Sequence, residues 1–201
     1  MKLTVKDFLN DTINQCIENN VEFKLLKKEN LEGSAGSFTG NSDDGCELCC
    51  ILDRDDWLEI LVHETCHMDQ YIEKSPLWFH ELVDLDHWDK MILKFVDNDI
   101  VLDAFKKITE LEIDCDKRVL KKIKKYSLDI DIPQYIKRSN CYHQSYYYFH
   151  KFEIFYDLEN TPYNDVELFE SFDGKKILDL DEIWCENPQL EKFLVQNNTK
   201  L

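Results

Sequence analysis

No apolar stretch in the 201-residue sequence is long enough to cross a bilayer, and none follows a basic head at its start, so neither membrane spanning nor secretion is expected. Positive charge is scarce. Lysine and arginine total 24 against 41 aspartates and glutamates, a formal charge of -17, which argues against a nucleic-acid backbone as partner. Internal repeats, low-complexity segments and flexible linkers are also missing, so a single domain over residues 1–201 is expected. Without a secretory segment, the eight cysteines predict reduced thiols and a cytoplasmic compartment rather than a disulfide scaffold. Cys46 and Cys49 form a CxxC pair, but no second pair completes a zinc ribbon. Their neighbours Glu47, Leu48, Ile51 and Leu52 read as a strand, so buried thiols are expected there.

What is present is mostly helical patterning. Phe8, Leu9, Ile13 and Ile17 approach helical spacing within Val5 to Ile17, and Val21 to Leu26 reads as a strand. Gly33 to Gly45 supplies turn residues around a short strand near Phe38, and Glu47 to Leu52 is the next strand. Asp53, Asp55 and Asp56 before Trp57 suit a helix N-terminus, where carboxylates meet free amides and the positive dipole end. Ser75 and Pro76 break that helix, and Leu77 to Val96 contains helical pieces. Leu102 to Tyr126 is the strongest helical signal; Asp131 and Pro133 open a further helix to about Tyr156, and the remainder reads as short helices. The pattern predicts a mostly helical α+β domain with a small sheet ahead of the helix at Trp57.

That helix carries WLEILVHETCHMDQYI, in which His63, Glu64 and His67 form HExxH. Four-residue spacing brings both imidazoles to one face, where they can bind zinc, while Glu64 can act as general base toward a water activated by the metal. A third ligand is required. Immediately downstream stand Gln70 and Glu73 where metzincins place a glycine and a third histidine. In a continuing helix Glu73 projects away from the histidine face, whereas Gln70 shares the face of His67 and can line the site.

The long helix offers two pairs spaced as ExxxD, Glu110 with Asp114 and Glu112 with Asp116. Phe105, Ile108, Cys115, Val119 and Ile123 define its apolar face, and Glu112 falls within about 20° of the centre at 100° per residue. A carboxylate in a core-facing stripe is costly unless it is paired or binds metal. Glu112 is therefore the expected third ligand, and Asp116 the acceptor that fixes a ligating imidazole's tautomer. Glu110 and Asp114 fall on the opposite side, as a solvated charged face would.

HExxH completed by ExxxD on another helix resembles zincin metallopeptidases of the glutamate-ligand type, such as thermolysin-like enzymes. HETCHMDQ, ELEIDCDKR and NCYHQSYYYF look more closely like small metallopeptidases of tailed bacteriophages and some large viruses, from about Phe38 to the C-terminal region. The resemblance implies a zincin-like fold, a zinc cofactor and a peptide or protein substrate, with host cytoplasm as compartment if the chain is viral. In this class the strand before the motif helix commonly lies at the cleft edge, where a peptide adds by main-chain hydrogen bonds, which makes Glu47 to Leu52 the candidate. Amide hydrolysis also needs a neutral donor to the oxyanion. Tyr142 and Tyr146 share a helix face with His143 and His150 near it, and the resemblance favours the tyrosines. His80 and His87 receive no metal role; their segment, with Trp78, Asp84, Asp86 and Trp88, is a candidate cover for the cleft. The competing readings are a non-enzymatic viral or host-interaction protein with a structural zinc site, and hydrolysis of a different amide such as a cell-wall crosslink.

Overall fold

The computed structural model describes residues 3–27, 35–42, 45–79, 98–152, 155–156 and 161–199. They form an α+β protein whose contacts divide into two compact units, residues 1–78 with 115–130 and residues 79–114 with 131–201. Of the expected cover segment Trp78 is described, whereas His80, Asp84, Asp86, His87 and Trp88 lie outside the described residues.

The first unit opens with helix α1 (Val5–Glu18). Thr4 caps it: its hydroxyl accepts from the Asp7 amide, and the Asp7 carboxylate accepts from the Thr4 amide, which satisfies two donors that a helix start leaves free. Phe8, Thr12 and Cys16, four residues apart, form its buried stripe. Strands β1 (Val21–Leu26), β2 (Gly36–Ser42) and β3 (Gly45–Ile51) make a sheet of order β1-β3-β2, with β3 parallel to β1 and antiparallel to β2.

This order corrects one expectation. The strand over Glu47 to Leu52 is not a cleft edge, because β3 is bonded on both sides, with Leu48 opposite Phe23 on one and Phe38 on the other. Its residues Leu48 to Ile51 are all buried, as a doubly covered central strand requires. Among the described residues the edges are β1 and β2. The CxxC pair also finds its explanation here. A separation of three in a strand sends Cys46 and Cys49 to opposite faces, so they cannot share a metal; Cys46 donates to the Tyr71 hydroxyl, and Cys49 to Glu47. None of the eight cysteines is in a disulfide.

Helix α2 (Trp57–Ile72) follows, then the C-terminal part of the long helix α3 (Asn98–Tyr126), which begins in the second unit. Asp56 precedes α2, but at φ -95 and ψ 10 its side chain makes no cap; it binds Arg54 through two contacts of 2.7 and 2.8 Å. Helix α2 stops at Ile72, and Glu73 leaves the histidine face to pair with Arg118 at 2.6 Å.

The second unit contains the first part of α3, helix α4 (Ile132–Phe152), and short helices α5 (Val166–Phe169), α6 (Leu180–Ile183) and α7 (Pro188–Gln196). Asp131 opens α4 by accepting from the Gln134 amide. The helix ends at Phe152 instead of continuing to Tyr156, because Phe155–Tyr156 (β4) pairs with Asn198–Thr199 (β5). Phe105, Ile108, Tyr146, Tyr148, Phe149, Leu168 and Leu190 are among the buried residues of the core.

Beside this core, polar groups on α4 fasten the chain that follows. Asn140 accepts from the Leu178 amide and donates to the Lys176 carbonyl, while Gln144 donates to the carbonyls of Ile183 and Cys185 and accepts from Asn187. Tyr148 donates to the Asn187 carbonyl at 2.8 Å and accepts from its amide. Residues at 140, 144 and 148 share one helix face, so part of the polar run NCYHQSYYYF is a structural clamp.

Candidate metal centre

On α2, His63 and His67 stand one turn apart with their rings edge to face, centroids 4.7 Å apart. The Nε2 atoms face each other at 3.1 Å. At their far nitrogens, His63 Nδ1 lies 3.0 Å from Asp116 Oδ1, and His67 Nδ1 lies 2.8 Å from Gln70 Oε1. An ionised carboxylate and an amide oxygen only accept, so both contacts require the proton on Nδ1. The Nε2 atoms, on the side of each ring away from Asp116 and Gln70, are directed at each other. Two nitrogens bound to one tetrahedral zinc at about 2.0–2.1 Å would be about 3.3 Å apart. The pair thus has nearly the separation of two ligands of one metal and could hold a metal ion.

The sulfur of Cys115 joins them, its ligand atom and those of the two histidines lying within 4.8 Å of one another. Its position argues against direct ligation. Sγ is 3.6 Å from His63 Nδ1 but 3.9 Å from Nε2, so it lies beside the ring toward the nitrogen that Asp116 holds, behind the point where a metal would meet Nε2. The thiol instead donates to the His63 carbonyl at 3.4 Å. Cys115 packs against the ring and limits its rotation.

Other contacts fix the segment. Lys122 pairs with Asp69 at 2.7 Å and donates to both Thr65 oxygens at 3.0 Å, joining α2 to the later turns of α3. Gln15 on α1 donates to the same Asp69. Beside His67, whose exposure is 8%, the Trp78 ring lies 5.7 Å away and itself packs on Phe38 of β2. Glu64 is partly buried, near the start of β2. Burial pushes the Cys50 thiol up to about 12, and the Glu64 and Asp56 charges act in the same direction.

His63, His67, Asp116 and Gln70 are therefore brought together in the first unit. Glu112 is half-buried on α3, one helical turn before Asp116, and belongs to the second unit, as do Tyr142 and Tyr146. Those tyrosines share a hydrogen bond of 2.5 Å between their hydroxyls; Tyr146 also packs on Phe105, and Tyr142 on Tyr163. Glu110 lies 3.5 Å from Lys107 on its own helix. Reading the sequence placed Cys115 only in the apolar stripe of α3 and Trp78 only in the candidate cover segment, and set neither of them beside the histidines. No protein-family model, curated protein or solved structure matches the chain.

Proposed function

We propose that the protein is a zinc-dependent hydrolase with a zincin-like fold, and that its substrate is a peptide or protein. The observation that carries this reading is the pair of Nε2 atoms 3.1 Å apart on one face of α2, with each Nδ1 held by a second residue, Asp116 or Gln70. His63 and His67 would hold the ion; as third protein ligand the ExxxD spacing of the sequence favours Glu112 over Cys115, whose sulfur lies beside the His63 ring. Zinc in such a site acidifies a bound water and polarises a carbonyl.

The chain's own residues supply the rest. Asp116 and Gln70 keep the two Nδ1 atoms protonated and the rings oriented. Glu64, next to His63 in sequence, takes a proton from the attacking water and delivers it to the leaving amine. A substrate strand would add at β2, which has β3 as its partner among the described residues and borders α2, rather than at the central β3.

The test combines zinc content by mass spectrometry with cleavage of a peptide library. Wild type, Glu64→Gln and Cys115→Ser are expected to hold one zinc per chain and Glu112→Ala none, with cleavage lost in Glu64→Gln by about a thousandfold or more. Loss of zinc in Cys115→Ser but not Glu112→Ala would reverse the choice of third ligand. Zinc without cleavage would favour a non-enzymatic zinc protein, and a folded wild type that binds no metal would sink the reading.

A further inference from the structure

Gly36 stands at the start of β2, opposite Cys50 of β3, where the strand lies against α2. A Cβ at this position would be 2.5 Å from Ile60 Cγ2, 3.1 Å from the Cys49 carbonyl oxygen and 3.2 Å from Glu64 Cγ. The first distance is below anything real Cβ atoms adopt, and the other two are tight enough to force a displacement. Ile60 and Glu64 are one turn apart on α2, so they form two sides of a cradle that the main chain at Gly36 closes. The strand repeats the device. A Cβ at Gly40 would be 2.7 Å from the Tyr71 ring, and Phe38 between the two glycines packs on Tyr71 and Trp78.

We infer that Gly36 is a positioning residue for Glu64: the missing Cβ leaves the room beside Cγ that the present Glu64 conformation needs where the strand lies against α2. The inference rests on the hydrolase reading, in which Glu64 moves the proton. It explains why an edge strand, where glycine lowers intrinsic stability, carries one at this position. Only a residue without a side chain lets the strand lie against α2 while the Glu64 side chain keeps its present conformation. A general base is sensitive to this, since a displacement of about 1 Å can cost about a hundredfold in rate.

The experiment compares Gly36→Ala/Ile60→Ala with Ile60→Ala alone, so that the Ile60 contact is already relieved and Glu64 is the side chain that must give. Gly40→Ala, whose new methyl meets Tyr71, is the control for tightening the same strand. Zinc content should stay within about twofold in all three, with kcat about tenfold lower in Gly36→Ala/Ile60→Ala than in Ile60→Ala. A second readout needs no turnover. In protein labelled with 13C-glutamate, the Glu64 Cγ resonance, assigned by its absence in Glu64→Gln, should report one ordered rotamer in Ile60→Ala. It should shift or average in Gly36→Ala/Ile60→Ala. An unchanged Glu64 resonance in that folded double variant would overturn the inference. If wild type neither binds zinc nor cleaves, the hydrolase reading fails, while the resonance still decides whether Gly36 orders Glu64.

Discussion

The two units both bury polar side chains on helices, and they use them in opposite ways. In the second unit Asn140, Gln144 and Tyr148 engage the chain between Lys176 and Asn187 through donors and acceptors alike. In the first, His63 and His67 satisfy their Nδ1 atoms through Asp116 and Gln70 and turn their Nε2 atoms toward each other. The difference separates a clamp from a site. A polar group whose bonds run to its own backbone stabilises the fold, whereas two ring nitrogens one helical turn apart that face each other form a pair that could hold a metal ion. By that criterion Asn140, Gln144 and Tyr148 are structural, and the two imidazoles are the candidates for a functional site.

The largest effect that could break the comparison is at Asn140. Asn140→Ala would leave the Leu178 amide and the Lys176 carbonyl without this partner, at an expected cost of about 3 kcal/mol in urea unfolding. Zinc stoichiometry of the folded protein should not change. A variant that loses zinc while keeping its stability would show that the clamp also serves the site.

Next in size is the pair that orients the histidines. Replacing Gln70 or Asp116 by leucine removes the acceptor from one Nδ1 while keeping a side chain of similar volume. Zinc affinity measured by competition with a chelator should fall about ten- to a hundredfold, or roughly 1.4–2.7 kcal/mol. Equal affinity in both variants and wild type would mean that the tautomers are fixed by something else.

How far these roles were legible in the sequence depends on the range of the interaction involved. HExxH lies within two turns of one helix, so spacing alone put His63, Glu64, His67 and Gln70 in register. Asp116 was found because a carboxylate beside a regular apolar stripe stands out when helical periodicity is strong, as it is on α3. Sheet order was not legible: period-two patterning and turn residues locate Val21–Leu26 and a strand over Glu47 to Leu52, found at Gly45–Ile51, but which strand is central depends on pairings across the chain. Hence Glu47 to Leu52 read equally as a cleft edge or an ordinary sheet strand. Likewise Gly36 read as a turn residue, since its significance comes from Ile60 and Glu64, 24 and 28 positions away. The end of α4 was overestimated because aromatic residues continue beyond Phe152, where pairing with β5 overrides local preference.

The smallest effect concerns helix starts, where identical chemistry has unequal consequences in the two units. Asp56 and Asn187 both precede a helix, and by composition alone either is a good cap. Asn187 acts as one: its side chain accepts from the amides of Gln189 and Leu190 and also donates to Gln144. Asp56 instead pairs with Arg54 near the surface, both side chains about one third exposed, so it contributes a solvent-screened ion pair rather than a cap. Asn187→Ala should therefore cost about 2 kcal/mol in urea unfolding, and Asp56→Ala less than about 0.5 kcal/mol, falling further in high salt. Comparable losses would mean that Asp56 caps α2 in solution, and that the first unit, like the second, commits its polar side chains to its own backbone wherever a helix begins.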